Sequence, residues 1–149
     1  MADRLSPRLQ AVVDALPVTP RSRVLEIGCG PGAAARAVVA RVPRGHVLAI
    51  DRSERAIALA RASCAEEIST GRMSVRCVAV EDFTLAPGEE PFDMAFAVRV
   101  GALDGRHPTA GERALARIAA ALIPGGRLFI DGGDPLREIE ISRNSSRPL

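Results

Sequence analysis

Val24-Leu25-Glu26-Ile27-Gly28-Cys29-Gly30-Pro31-Gly32 is the stretch around which the 149-residue chain is organised. It begins as a short apolar strand with one acidic residue, and three alternating glycines follow directly. Glycine lets the backbone turn sharply and approach a ligand closely, because a Cβ atom would block both. The small residues that come next predict a helix over 31–42, whose positive dipole end faces the turn. The stretch therefore predicts a loop that holds a small ligand with anionic or polar groups.

Apolar strand patterns alternate with helical patterns along the rest of the chain. Strands are expected over 23–27, 46–50, 73–80, 92–98 and 127–130. Because the connections are short and the strands are apolar, the pattern predicts an α/β fold. We expect a doubly wound, mostly parallel sheet with five core strands and helices on both faces. Ligands of such sheets bind beyond the carboxyl ends of the strands, at the switch point beside the first strand.

Helix starts are marked by capping residues. An N-terminal helix is expected within residues 1–17, and Ser6 is its predicted N-cap. Ser53 is the predicted cap of one helix that runs from the second strand to Gly71. Thr109, in a capping-box pattern with Glu112, is the predicted cap of the last helix.

Composition narrows the class of protein. Hydrophobic residues make up 47% of the chain and charged residues 26%, which is ordinary for a globular protein. A net charge of +2 and an aromatic content of 3% argue against a nucleic-acid partner. Neither a signal-peptide pattern nor a membrane-spanning apolar run is visible. We therefore expect one cytoplasmic domain over residues 1–149 with a frayed polar tail at 142–149.

Cysteine and acidic residues give no pattern of metal ligands. Cys29, Cys64 and Cys77 are isolated in sequence and are interpreted as small core or loop residues in a reducing compartment. Asp131 and Asp134 flank two glycines, where a turn built from Asp and Gly is favoured over a metal site. No metal cofactor is expected.

The glycine motif alone leaves the ligand open. Gly28-x-Gly30-x-Gly32 also fits the dinucleotide-binding fingerprint, and Asp51 lies about where that motif has its ribose-binding acid. A nicotinamide cofactor and other ribose-bearing cofactors are therefore both compatible with it. Glu26 favours the second class, because a pyrophosphate beside its carboxylate would be repelled whereas an ammonium or sulfonium would not.

Four motifs together resemble the class I S-adenosylmethionine-dependent methyltransferases. They are Val24–Gly32, Leu48–Asp51, Phe92-Asp93 and Leu122–Arg127, in the family's order. The resemblance covers roughly residues 20–131 and implies a Rossmann-like methyltransferase fold with S-adenosylmethionine as cofactor. Family members continue after the fifth strand with a helix and an antiparallel strand pair. That pair is expected to be shortened or missing here, and a homodimer could then cover the exposed sheet edge.

The resemblance also implies which residues bind the cofactor. Asp51 would accept hydrogen bonds from both ribose hydroxyls, and Arg52 would lie against the adenosine. The carbonyl of Ala97, at the end of the fourth strand, would meet the methionine ammonium. The loop itself would consist of Glu26, Gly28, Cys29, Gly30 and Gly32, with Gly28 and Gly30 near the methionine moiety.

The residue that reads the adenine is left open. Where the family usually has an aspartate after the third strand, this chain has Ala79. Glu81 or Asp82 would substitute, or the backbone at Val80 and Glu81 would read the base.

The methyl acceptor has no motif of its own. Transfer from a sulfonium chiefly needs alignment and the exclusion of water, so a catalytic base is optional and no catalytic residue is assigned. Arg99, Asp104 and His107 lie on the loop where the family places acceptor-binding groups, and the N-terminal helix is the candidate cover of the cleft. His107 is either a general base or a surface residue without a role. By elimination, a small-molecule acceptor is expected.

Two other functions stay open at this stage. One is a cofactor-binding sensor or partner subunit without catalytic activity. The other is an NAD-dependent oxidoreductase, which is disfavoured by Glu26, by the turn at Pro124-Gly125-Gly126 and by the absence of tyrosine.

Overall fold

A computed structural model describes residues 5–103 and 105–141 of the chain. The predicted tail at 142–149 and the acceptor role of Asp104 lie outside the described residues. Within the described ranges, no helix is long and apolar enough to cross a bilayer.

Six strands form a single sheet in the order β3-β2-β1-β4-β5-β6. The strands are β1 (Arg23–Ile27), β2 (His46–Asp51), β3 (Met73–Cys77), β4 (Phe92–Ala97), β5 (Leu122–Asp131) and β6 (Leu136–Ile139). The first five are parallel, and β6 pairs antiparallel with β5. The predicted α/β fold with five parallel core strands is confirmed. Beyond β5 the described residues contain one further strand, β6, and its antiparallel pair with β5 is present.

In the described ranges, five α-helices and two 3₁₀ turns precede or connect the strands. They are α1 (Pro7–Ala15), α2 (Ala33–Val39), α3 (Glu54–Ser63), α4 (Ala65–Ser69), α5 (Pro108–Ala121) and the 3₁₀ turns Val80–Asp82 and Gly101–Leu103. Ser6 and Ser53 cap α1 and α3 as predicted, since their hydroxyls accept the backbone N–H groups of Leu9 and Ala56.

Buried side chains cover both faces of the sheet. Along β2, Val47 and Ala49 pack on one face with residues of α1, α2 and α3. Leu48 and Ile50 pack on the opposite face with residues of α5. Side chains alternate between faces along a strand, and two covered faces explain why the strands read as nearly continuous apolar runs.

Helix boundaries differ from the predictions in three places. The helix after the glycine loop is shorter than 31–42: it begins at Ala33, because Gly32 at its N-cap is left-handed with a φ of 92°, and it ends at Val39. The single helix predicted after β2 is interrupted at Cys64, which separates α3 from α4. The Thr109 cap is wrong, because α5 begins at Pro108 with His107 in the N-cap position. Proline suits a first helical position, where no backbone N–H is needed.

Strand boundaries differ as well. β3 ends at Cys77 because the chain passes into the 3₁₀ turn, and β4 ends at Ala97. β5 begins earlier than predicted, and its pairing with β4 shifts between Phe92 and Met94. The Pro124-Gly125-Gly126 turn is thus an irregularity within β5 instead of a connection that precedes it.

Helix α1 packs on α2. Val12 and Val13 are fully buried in the core on that side of the sheet. Arg41, just after α2, pairs with Asp14 and donates to the carbonyl of Val13. The expectation that α1 covers the cleft is therefore not supported.

Candidate functional site

A cleft of about 640 Å³ lies beyond the carboxyl ends of β1, β2 and β4. This volume is within the range of small-molecule sites, and the position is the switch point of the sheet, where the sequence predicted a ligand. One side is lined by the end of β2, Arg52 and residues 78–81. The other side is lined by residues 99–102, Arg106, His107 and Ala110.

The glycine loop passes from the end of β1 over the end of β2. The backbone N–H groups of Gly28 and Cys29 both donate to the carbonyl of Ile50, at 2.8 and 3.0 Å. Gly28 and Gly30 have positive φ values of 72° and 54°, which favour glycine. A Cβ at Gly28 would lie 2.7 Å from Val100 Cγ2, whereas a Cβ at Gly30 would meet no atom within 4 Å. The loop is therefore closely packed at Gly28 and open at Gly30.

Asp51 connects the end of β2 to this loop. Its Oδ2 accepts the backbone N–H of Gly30 at 2.9 Å, and its Oδ1 accepts that of Ser53 at 2.9 Å. Each carboxylate oxygen has two lone pairs, so both oxygens can accept a further hydrogen bond. Asp51 lines the cleft and is half-buried. It is thus oriented by the protein and still able to accept donors from a ligand.

Glu26 is a buried carboxyl group behind the loop. It is 4% exposed, and its Oε1 has no hydrogen-bond partner among the described residues. Burial raises the pKa of Glu26 to about 8. A hydrogen bond from the backbone N–H of Ala35 acts in the opposite direction, and the negative charge of Asp51 raises the pKa further. The expected repulsion of a pyrophosphate requires an ionised Glu26, whereas in the free protein this carboxyl is largely neutral near pH 7. A cationic group near Oε1 would favour the charged form again.

The other residues predicted in the loop differ in their exposure to solvent. Gly28 is exposed, Gly30 is half-buried, and Gly32 is buried at the start of α2. The Cys29 thiol is buried and its pKa is raised to about 12, chiefly by burial. Because the thiolate is the nucleophilic form, Cys29 contributes its backbone and not a reactive sulfur. Ala97 ends β4 opposite Ile27, and the lining of the cleft begins two residues later.

The two candidates for the adenine-reading acid point to different places. Glu81 lines the cleft beside Val80, which is buried. Asp82 is 61% exposed and pairs with Arg113 at 2.8 Å. Of the two, the geometry favours Glu81, and a reading by the backbone at Val80 and Glu81 is equally compatible with the lining.

Three basic side chains line the side of the cleft that follows β4. Arg99 and His107 were identified in the sequence, whereas Arg106 was missed. A Cβ at Gly101 would lie 3.1 Å from Arg106 Nη2 and 3.7 Å from His107 Cδ2, so both groups pack over this glycine. The only sequence signal for Arg106 is its position beside His107. Among the residues that the structure describes, no cluster of His, Cys, Asp and Glu is arranged as a metal site.

Comparison with known proteins identifies relatives of this chain. Residues 24–126 match the family described as "Methyltransferase domain". The trans-aconitate 2-methyltransferase of Variovorax paradoxus is 30% identical over 129 residues, which cover 87% of this chain and 45% of that enzyme. The enzyme of the same name from Methylobacterium nodulans is 31% identical, over 83% of this chain and 43% of its own length. The chain spans less than half the length of these curated relatives.

Solved structures show the same fold. Coclaurine N-methyltransferase, bound to N-methylheliamine and S-adenosylhomocysteine, superposes with a TM-score of 0.66 at 19% identity, over 82% of this chain and 34% of that one. The pyocyanin biosynthetic protein PhzM superposes with a TM-score of 0.67 at 19% identity, over 86% and 38%. S-adenosylmethionine is the methyl donor of this family, which is the cofactor that the sequence predicted. The match over residues 24–126 and the shared fold confirm the resemblance, and the chain belongs to the methyltransferase domain family.

Proposed function

We propose that this domain binds S-adenosylmethionine and directs methyl transfer to a carboxylate group of a small molecule. The observation that carries the proposal is the division of the cleft into two sides. Asp51 and Glu81 lie together with Arg52 on the side of β2 and β3, whereas the described lining of the side that follows β4 has three basic residues and no acidic one. The two carboxylates suit the hydroxyl and amine donors of an adenosine, and the basic side suits an anionic acceptor.

The residues of the loop fit the cofactor. Glu26 Oε1 is a buried acceptor that has no partner within residues 5–103 and 105–141, which suits a ligand with an ammonium group. Open space over Gly30 leaves room for a ligand against the backbone, and Asp51 can accept two hydroxyl donors. When bound, S-adenosylmethionine supplies a methyl group activated by a sulfonium. The task of the chain is then to orient the two reactants and to exclude water.

The basic side of the cleft is the reason for proposing a carboxylate acceptor. Arg99 and Arg106 have guanidinium groups, which bind carboxylates through paired hydrogen bonds. The curated relatives named above are methyltransferases of trans-aconitate, which is a tricarboxylate. A carboxylate is already ionised near pH 7 and needs no general base, so His107 would serve as a binding group. This explains why a catalytic base need not be found in the cleft.

The cytoplasmic location and the homodimer stay predictions.

Titration calorimetry with S-adenosylmethionine, S-adenosylhomocysteine and NAD tests the cofactor. We expect both adenosyl compounds to bind and NAD not to bind. Tight binding of NAD alone would overturn the proposal. Transfer of a labelled methyl group to trans-aconitate, with its trimethyl ester as the matched uncharged control, then tests the acceptor. Cofactor binding without transfer to any carboxylate offered would favour a sensor or partner subunit.

Replacing Asp51 is expected to weaken cofactor binding. Asp51→Ala removes an acceptor for the ligand and the bond that holds Gly30, so affinity for S-adenosylhomocysteine should fall ten- to a hundredfold, about 1–3 kcal/mol. Asp51→Asn retains one oxygen and should lose less. Asp14→Ala is the matched control, because Asp14 also forms a side-chain ion pair, with Arg41, and is not part of the cleft lining. An affinity of Asp51→Ala equal to that of wild type would remove Asp51 from the site.

Replacing the two arginines is expected to impair acceptor binding selectively. In Arg99→Gln/Arg106→Gln, the KM for trans-aconitate should rise at least tenfold, roughly 1.4 kcal/mol or more, because two charge-assisted contacts are lost. The Kd of S-adenosylhomocysteine should stay within twofold. Arg55→Gln/Arg61→Gln, on the exposed surface of α3, changes the net charge equally and is the control. An equal rise in KM in both variants would attribute the effect to net charge alone.

A further inference from the structure

Arg99 has an unusual backbone conformation at the point where the chain leaves β4. Its φ is 59°, and no other non-glycine residue in the described ranges has a positive φ. This conformation costs free energy for a residue with a Cβ atom and persists where the surroundings hold it in place. The contacts of its backbone therefore indicate what fixes this turn.

Asp131 supplies a contact that holds the turn. Its Oδ1 accepts the backbone N–H of Arg99 at 3.0 Å, and its Oδ2 accepts from Arg8 Nη2 of α1 at 2.7 Å. Asp131 ends β5, which runs parallel to β4 with Ile130 opposite Ala97, so it lies beside the chain as it leaves β4. The Asp131 side chain is only 16% exposed, and its bond to the N–H is charge-assisted. One carboxylate thus connects α1, β5 and the turn at Arg99.

The turn at Arg99 determines where the next residues lie. Arg99 and Val100 both line the cleft. Val100 also packs tightly over the glycine loop, because its Cγ2 leaves no room for a Cβ atom at Gly28. The 3₁₀ turn Gly101–Leu103 follows at once, with the N–H of Leu103 donating to the carbonyl of Val100 at 3.0 Å. A change at Arg99 would therefore move the start of the basic side of the cleft.

We infer that Asp131 is a positioning residue for the acceptor side of the cleft, and that Arg8 couples α1 to this role. The consequence for acceptor binding rests on the proposed function, whereas the hold on the Arg99 turn does not. From its sequence neighbours Asp131 is predicted only as a turn residue, since its two partners are 32 and 123 residues away along the chain.

Amide hydrogen exchange of the ligand-free protein tests whether Asp131 holds the turn at Arg99. Asp131→Ala removes the acceptor, so exchange of the Arg99 amide, measured by NMR, should quicken at least tenfold. Asp131→Asn retains an amide oxygen that can accept the same N–H but loses the charge that pairs with Arg8, and exchange should stay within threefold of wild type. Arg8→Gln leaves the acceptor in place and should quicken exchange less than Asp131→Ala does.

Titration of the S-adenosylhomocysteine-loaded protein with trans-aconitate tests the effect of Asp131 on acceptor binding. Asp131→Ala should weaken trans-aconitate binding about tenfold, a change of roughly 1.4 kcal/mol. The Kd of S-adenosylhomocysteine should change less than threefold. Asp131→Asn should restore most of the lost acceptor affinity, a rescue that a general loss of stability would not produce.

The two measurements separate this inference from the proposed function. Unchanged exchange of the Arg99 amide in Asp131→Ala would overturn the inference whatever the protein binds. Equal losses of trans-aconitate and S-adenosylhomocysteine affinity would also overturn it, because they indicate a general disturbance. A wild-type protein that binds no S-adenosylhomocysteine would instead contradict the proposed function.

Discussion

Glu26→Gln is expected to remove a pH dependence of stability that is worth about 4 kcal/mol between pH 5 and pH 9 in the wild-type protein. Burial raises the pKa of Glu26 to about 8 in the folded protein, from 4.5 as the ordinary value. The folded state therefore binds more protons than the unfolded state between these values. Its free energy of unfolding falls as the pH rises through that window, because the buried carboxyl must ionise.

Urea unfolding of both proteins across this pH range measures the effect. Relative to wild type, Glu26→Gln should gain stability steadily from pH 5 to pH 9, since an amide of similar shape does not titrate. Glu90→Gln, at an exposed acid, is the control and should run parallel to wild type. Parallel curves for Glu26→Gln and wild type would show that Glu26 titrates normally in the folded protein.

The strands and the glycine loop could be predicted because their signals are local. Apolar runs marked every parallel strand, and the glycines between β1 and α2 predicted the turn that the structure shows. Asp51 was placed at the end of β2 by the same reasoning, Arg52 was assigned to the site by the family resemblance, and both line the cleft. Parallel strands place their carboxyl ends at one edge of the sheet, so distant residues converge without any direct sequence signal between them.

The parts that were missed depend on contacts between distant elements. Cys64 separates α3 from α4 within a continuous helical pattern, and its side chain lies beside Gly32, a contact that the pattern of its own helix does not reveal. The neutral state of Glu26 follows chiefly from its burial, whereas the sequence shows only an acid. Asp131 looked like a turn residue because Arg8 and Arg99 approach it only in the folded chain.

Gly32→Ala is expected to lower the free energy of unfolding by about 2–4 kcal/mol. Gly32 has a φ of 92°, where a residue with a Cβ atom is strained by about 1–2 kcal/mol. The added methyl group would lie 2.9 Å from Cys64 Sγ and 3.4 Å from Ala60 Cβ. Cys64 and Ala60 are both fully buried, so neither can move aside into solvent.

Gly30→Ala separates backbone strain from steric crowding. Gly30 also has a positive φ, but a methyl group there meets no atom within 4 Å. This variant should lose only about 1 kcal/mol of stability, which corresponds to the backbone term alone. Its larger effect should fall on S-adenosylhomocysteine affinity, because the methyl group would occupy the open space over the loop.

A double-mutant cycle with Cys64→Ala tests the steric part of the Gly32→Ala effect. Removing Sγ relieves the 2.9 Å contact, so Gly32→Ala/Cys64→Ala should be more stable than the sum of the single changes predicts, by about 1 kcal/mol. Cys64→Ala alone should be destabilising, because it leaves a small cavity in a buried position. If the losses of stability of the two single variants simply add, the whole effect of Gly32→Ala comes from backbone strain. If the double variant is more stable than additivity predicts, the Cys64 side chain at the end of α3 packs against the start of α2 closely enough to require glycine at position 32 of the glycine loop.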